Sequence, residues 1–252
     1  SSAFAVALCA FHRRIKVIHL EAGLRSWDMY NPYPEEFNRV TISSMADIHL
    51  CPTETNAKVI KENHDGKVFV VGNTVLDNLT KLKPSLGDTV LITMHRRENL
   101  SIIKEWFHAI EKIAKDNSHL KFVFPMHPNP EITKHKKILK HVEVVKPLSY
   151  NDCIETVAKC AMVITDSGGL QEESSFLKKK CIVCRKTTER TEGDGSFARM
   201  CPTPDKLEKI FQDAKIEMVN EPCPYGDGKA SAKILKIIKK ETYKDAVIYR
   251  TK

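Results

Sequence analysis

Asp166-Ser167-Gly168-Gly169 closes one apolar run, AMVITDS, and opens a helix-like stretch that holds Glu172 and Glu173. A second apolar run, CIVCR, then leads to Thr187-Thr188-Glu189-Arg190. In open α/β sheets, ligands sit beyond the carboxyl ends of the strands. Glycines let a backbone approach a ligand closely. A helix start offers unpaired N–H groups and partial positive charge, which suits phosphate. Ser167 adds a hydroxyl, Glu173 an acceptor for ribose hydroxyls, and Arg190 a fork for a diphosphate. The order is that of a nucleotide site. Gly-Gly turns before helices also occur without ligands, so the stretch alone does not decide.

Other strand ends carry chemistry too. Met94-His95-Arg96-Arg97-Glu98-Asn99 follows one apolar run and Pro125-Met126-His127-Pro128 the next. Histidines at neighbouring strand ends would line one cleft. His95 stands out because two arginines and a glutamate crowd its loop; His12, His64, His108, His119, His135 and His141 read as ordinary surface or core residues. In the first third, Glu21 stands just past the apolar run KVIHL. Glu35, Glu36 and Arg39 open the next helical pattern behind a proline-rich loop, with Glu35 and Arg39 on one face. Helix-start carboxylates are also explained by the dipole alone.

These residues need elements to hold them. Short β-branched runs alternate with helical patterns along the chain. Strands are expected at 16–20, 47–52, 67–73, 89–95, 120–127, 142–147, 161–167 and 181–185. Helices are expected at 35–46, 53–63, 101–116, 131–140, 151–159, 169–178, 205–212 and 229–240, with Thr74 capping one more. This alternation reads as parallel sheets in an α/β protein. KPSLGD, 83–88, is the best linker signal. Two doubly wound units follow: 1–82, 83–225, and a C-terminal helix and tail over 226–252.

The 252 residues can bury a real core, with 42% hydrophobic and 7% aromatic content. No apolar run is long enough to span a membrane. Ser1 to Ala10 is apolar but lacks the basic start of a secretory signal. The first methionine is Met29, which implies processing or a piece of a longer polypeptide. The net charge of +8 is spread over lysines of solvated helix faces, which disfavours nucleic acid as the partner. Among eight cysteines, Cys181-x-x-Cys184 has metal or redox spacing. It lies in a strand-like run, so its side chains face opposite ways and a buried reduced pair is expected. Neither a metal nor a cofactor is expected.

Seven motifs, in order, carry a family resemblance: HLEAGLRSWDMYNPYPEEFNR, CPTETN, VGNTVLD, HRREN, TDSGGLQEE, TTER and PYGDGKA. Together they resemble the non-hydrolysing UDP-N-acetylglucosamine 2-epimerases over most of the chain. The resemblance implies two Rossmann-like domains of the glycosyltransferase B type, the N-terminal one incomplete, and a cytoplasmic enzyme. It implies interconversion of UDP-GlcNAc and UDP-ManNAc by elimination and re-addition of UDP. It makes Glu21, Glu35 and His95 catalytic. Arg39, Ser167, Gly168, Gly169, Glu173 and Arg190 would bind the substrate or UDP, with His127 a weaker candidate.

The sequence departs from the family in places. The family's opening strand, its Gly-Thr-Arg-Pro-Glu loop and its Gly-Asp-Thr segment with a catalytic Asp have no counterpart. Thr191-Glu192 replaces Pro-Glu after Arg190, and Cys153 stands where an aromatic residue often lies near the uracil. The expected partners are therefore a UDP-sugar and either a second copy, as a homodimer, or a complementing N-terminal polypeptide. The alternative function is a non-catalytic UDP-sugar-binding or assembly protein.

Overall fold

The computed structural model describes residues 1–243. The chain divides into two compact units, Ser1–Thr80 with Tyr225–Lys252, and Lys81–Pro224. Each contains a parallel sheet, of three and six strands respectively, so the α/β expectation holds.

In the first unit, α1 (Ser2–His12) precedes β1 (Ile18–Leu20), α2 (Glu35–Met45), β2 (Ile48–Cys51), α3 (Glu54–Asn63) and β3 (Lys67–Val70). The strand order is β1-β2-β3, and every residue of the central β2 is buried. Such unbroken burial is what a parallel strand covered on both faces requires. Thr53 caps α3 by accepting from the Asn56 N–H at 3.1 Å. Thr74 was expected to cap the next helix. Asn73 does so instead, accepting from the Val75 N–H, and the helix is a short 3₁₀ segment, Thr74–Leu79.

The second unit runs β4 (Thr89–Thr93), α4 (Arg97–Leu100), α5 (Ile103–Asp116), β5 (Lys121–Pro125), α6 (Pro130–Thr133) and β6 (Val142–Val145). It continues with α7 (Tyr150–Lys159), β7 (Met162–Thr165), α8 (Gly168–Phe176), β8 (Cys181–Val183), β9 (Ala198–Met200) and α9 (Leu207–Asp213). The strand order is β6-β5-β4-β7-β8-β9. α5 buries Ile103, Trp106, Phe107, Ile110, Ile113 and Ala114, one helical face, against Phe122, Phe124 and Ile164. The helix expected over 131–140 is only one α turn and a 3₁₀ turn, Lys136–Ile138, because the lysine-rich stretch offers too little apolar surface to cover. Three labelled elements had no expectation, α4 being a single turn between β4 and α5. α1 is too uniformly apolar to show a period, and β9 is three residues long.

The C-terminal helix, α10 (Ala230–Tyr243), packs on the first unit rather than standing apart. Asp77 accepts from the Ala230 and Ser231 N–H groups at 2.9 and 2.7 Å, which seats the helix start. Ile234 and Ile237 then pack against Ile48, Leu50 and Val71. Residues 244–252 of the expected tail lie outside the described residues.

The 83–88 stretch is pinned to the second unit. The Ser85 N–H donates to the Ala158 carbonyl at 2.9 Å. A Cβ at Gly87 would stand 2.2 Å from the Lys159 carbonyl oxygen, so only glycine fits. Fully buried Lys179 donates its Nζ to the carbonyls of Ser85 and Cys160. Replacing this charged donor leaves two buried acceptors unpaired. Lys179→Ala is expected to destabilise the second unit by about 2–4 kcal/mol, read from the urea midpoint of unfolding.

Candidate functional site

The six-stranded sheet reverses its order between β4 and β7. Crossovers on either side of such a point leave a crevice at the carboxyl ends of the two strands. His95 follows β4 there, and Asp166-Ser167-Gly168-Gly169 follows β7.

Asp166 organises this edge. It is fully buried and accepts from the His95 N–H at 3.0 Å, the Arg96 N–H at 2.8 Å and Asn99 Nδ2 at 3.1 Å. Asn99 also donates to the Cys184 carbonyl and accepts from Trp106 Nε1, so its amide has one orientation. The His95 loop is thereby tied to β7, to the start of α5 and to the end of β8. Nδ1 of His95 lies 3.6 Å from Asp166 Oδ1, and its ring is half exposed. The His95 and His127 rings stack at 6.2 Å, so the two neighbouring strand ends do bring their histidines together. His127 Nδ1 accepts from the Asn129 N–H, which places that ring's proton on Nε2.

The Ser167 hydroxyl accepts from the Leu170 N–H and caps α8. A Cβ at Gly168 would meet Arg190 Nη1 at 2.5 Å, so a side chain there must displace that guanidinium. At Gly169 a Cβ meets only ordinary contact, so no steric demand of the protein explains that glycine.

Three expectations change in detail. Arg190 is no open fork. Its Nε donates to Glu172 and its Nη1 to Glu189, each at 2.6 Å, and the residue is buried. Glu189 also pairs with Arg185, and Arg185 with Glu98 at 3.0 Å. A chain Glu98–Arg185–Glu189–Arg190–Glu172 thus runs behind the glycine turn. Glu173 already has a partner, the Tyr150 hydroxyl at 2.9 Å, and burial pushes its carboxyl above the ordinary range. Tyr150 is half exposed and lies one helical turn before Cys153, so it presents an aromatic ring beside the position where cysteine stands.

The Cys181-x-x-Cys184 spacing resolves as the strand reading expects, as two buried thiols at β8. Cys181 and Cys184 are buried and free, and the neighbour of Cys184 is Cys201, next along the β8–β9 ladder. Among the described residues, no group of three or more His, Cys, Asp or Glu is placed to hold a metal ion. No helix there is long and apolar enough to cross a membrane.

In the first unit, Glu21, Glu35 and Arg39 share one cavity of about 710 Å³ with Ala7, His19 and Ile42. Glu21 takes a left-handed backbone, φ 59°, which an ordinary side chain adopts only when its surroundings impose it. Gly23 follows at φ 88°, where a Cβ would overlap the Asn56 carbonyl. Glu35 and Arg39 share a helix face, but the carboxylate beside Arg39 is that of Glu36. Glu36 is buried, accepts from the Trp27 N–H at 3.1 Å and lies 3.8 Å from the Arg39 guanidinium. Glu35 is left exposed to the cavity.

Sequence reasoning missed Asp166 as an anchor, and missed Asn99, Arg185, Glu172 and Glu189. All lie inside or beside the quoted motifs, and that clustering was the available signal.

The family model for UDP-N-acetylglucosamine 2-epimerase matches residues 1–239. The chain belongs to that family. It is 36% identical to the UDP-N-acetylglucosamine 2-epimerase of Campylobacter jejuni, over 94% of this chain and 72% of that one. It is also 36% identical to that of Bacillus subtilis strain 168, over 93% and 69%. Among solved structures, the Neisseria meningitidis UDP-GlcNAc 2-epimerase bound to UDP-GlcNAc matches at a TM-score of 0.84 and 31% identity, over 94% of this chain and 73% of that one. The S. aureus MnaA–UDP structure matches at 0.86 and 32%, over 95% and 71%.

Three substitutions test the geometry of this epimerase-family site. Asp166→Asn places an amide N–H₂ among three N–H donors. It is expected to destabilise the second unit by about 2–4 kcal/mol by urea unfolding and to broaden the His95 and Arg96 amide signals in NMR. Gly168→Ala must displace a guanidinium held by two carboxylates. A loss of about 1–3 kcal/mol is expected, read the same way, whereas Gly169→Ala should cost less than about 1 kcal/mol.

Proposed function

We propose that the chain supplies the UDP-holding and acid/base groups for interconverting UDP-GlcNAc and UDP-ManNAc. The observation that carries this reading is the convergence of His95 and Asp166–Gly169 on the switch point of the six-stranded sheet. The relatives named for this reaction, one of them holding UDP-GlcNAc, support it.

Carbon 2 of the sugar carries a weakly acidic proton. A base removes it as the bond from carbon 1 to the UDP oxygen breaks, giving 2-acetamidoglucal and UDP. Re-addition delivers a proton to the other face of carbon 2, and the UDP oxygen re-forms the bond to carbon 1. Protons and electron pairs balance without a redox cofactor. Glu21 and Glu35, facing one cavity, are the proton-transfer groups. Arg39 offers positive charge beside them. Ser167 and the N–H groups at Gly168 and Gly169 take the diphosphate, with His95 alongside and His127 stacked behind. Glu173 takes the ribose through the oxygen that Tyr150 leaves available. Arg190 contributes by exchanging one carboxylate partner for a phosphate.

A second reading, a UDP-sugar-binding or assembly protein, is favoured by the edge of the first sheet. β1 pairs on one side only, with β2, among the described residues. Leu20 on β1 and Val6, Phe11 and Ile15 in the segment preceding it are exposed. Such an edge accepts a further strand, from a complementing polypeptide or a second copy.

Proton NMR of UDP-GlcNAc with the purified chain in deuterium oxide separates the readings. UDP-ManNAc carrying deuterium at carbon 2 is expected for the epimerase. UDP binding by calorimetry with no exchange would leave the binding protein. The absence of both would overturn the nucleotide reading.

A further inference from the structure

The turn that carries Glu21 is tied down by a buried guanidinium surrounded by imidazoles. Arg25 Nη1 donates to the Leu24 carbonyl at 2.8 Å. Its Nη2 donates to Ser43 Oγ at 3.0 Å and meets His64 Nε2 at 3.2 Å. Ser43 lies on α2, the helix whose other end presents Glu35 and Arg39; His64 follows the last residue of α3. One side chain therefore joins the Glu21 turn to both helices.

The hydrogen-bond directions follow from the donors present. A guanidinium only donates, so His64 Nε2 must accept, and the His64 proton is on Nδ1. That Nδ1 faces Ser44 Oγ at 3.5 Å, whose own hydrogen goes to the Val40 carbonyl. Ser43 spends its hydrogen on the Arg39 carbonyl at 2.9 Å and accepts from Arg25. His19 Nδ1, 3.2 Å from the same oxygen, must therefore donate. His49 Nε2 donates to the Asp65 carbonyl at 2.9 Å. The network closes only with His64 neutral.

We propose that Arg25 is the positioning residue for the Glu21 turn and that His64 is its proton-operated release. The inference rests on the reading of Glu21 as a reacting group for its functional meaning, but its geometry stands apart from that reading. His19 and His49 are buried, whereas His64 is half-exposed and lines a polar cavity of about 590 Å³ with Ser44, Asp47, Asp65 and Lys67. Solvent protons thus reach His64 first. A proton on its Nε2 would set N–H against N–H and two cations 3.2 Å apart. Arg25 would then leave Leu24 and Ser43, and the turn after Glu21 would keep only the Ala22 N–H bond to the Leu50 carbonyl and the Asn56 Nδ2 bond to the Gly23 carbonyl.

The charges around the latch set the pH window. Burial, Arg25 and His49 all hold His64 below its ordinary value of 6.5, and Asp65 opposes them weakly. Burial, with His49, Arg25, His64 and Arg39, drives His19 down to about 3. Burial and Arg25 lower His49 despite its bonds to backbone and the charge of Asp47. Arg25 itself faces Glu36, Arg39 and Cys51. A released turn takes up a proton on His64 more readily than the latched one. The latch is therefore complete above pH 6.5 and weakens as the pH falls below it.

Amide hydrogen exchange of the full chain, corrected for intrinsic rates, tests this without needing turnover. Protection at residues 22–26 should fall at least about threefold between pH 7 and pH 5 in the wild-type chain. His64→Gln, which keeps an acceptor but takes no proton, should abolish that fall. Arg25→Lys, which cannot reach all three acceptors, should lower protection at every pH. Protection at 22–26 that does not change with pH, or a His64→Gln variant that loses protection as the wild type does, overturns the proposal. Loss of epimerase activity with this pattern intact would instead count against the reading of Glu21.

Discussion

A single buried carboxylate sets the geometry of the switch-point edge in the second unit. Asp166 has no exposed surface and three N–H donors, from His95, Arg96 and Asn99. An ionised carboxylate in the interior is tolerated only when its lone pairs are met. Here the donors that meet them belong to the loop after β4, while the carboxylate belongs to the end of β7. The cost of burying the charge thus becomes a constraint holding two strand ends together. That constraint fixes where the imidazole of His95 stands and which way the backbone turns into Ser167. The switch point supplies a crevice, and Asp166 gives it a defined edge.

Behind that edge, charge is stored rather than neutralised. The chain Glu98–Arg185–Glu189–Arg190–Glu172 alternates three carboxylates with two guanidiniums. Buried pairs of this kind add little net stability, since desolvation offsets the attraction, but breaking one is costly. Their effect is to fix Arg190 against Gly168, so that the absence of a side chain there is a packing demand. An arriving diphosphate would meet a guanidinium already shared by two carboxylates.

Much of this was legible in the sequence, because strand ends and helix starts leave local marks. The alternation of β-branched runs with helical patterns located nearly every strand, and His95, His127 and Ser167–Gly169 fell at strand ends where they were expected. What was not legible depends on partners distant in the chain. Asp166 and Asn99 are 67 residues apart, and neither residue type announces the bond. Arg190 reads as a free cation until Glu172, eighteen residues back, is brought beside it. α1 shows no helical period because nearly every position is apolar, and β9 is too short to show alternation. Asn73 displaced Thr74 as the cap for a local reason: its side-chain oxygen accepts from the Val75 N–H two residues on, an Asx turn that opens the 3₁₀ segment.

The two units solve the same problem by opposite electrostatic means. In the second, ionised groups are paired and buried, and the site edge follows from satisfied charge. In the first, the Glu21 turn is held by imidazoles that burial keeps neutral around one guanidinium. The direct acceptors of Arg25 are neutral, and Glu36, the buried carboxylate it faces, is engaged by the Trp27 N–H and lies beside Arg39. Glu36 shows the limit of this arrangement. It is the one glutamate of the loop that is buried, and it serves the Trp27 backbone and Arg39 while Glu35 next to it remains open to the cavity. Adjacent residues of identical chemistry thus part into a structural and an available carboxylate, and the helix face on which each falls decides which is which.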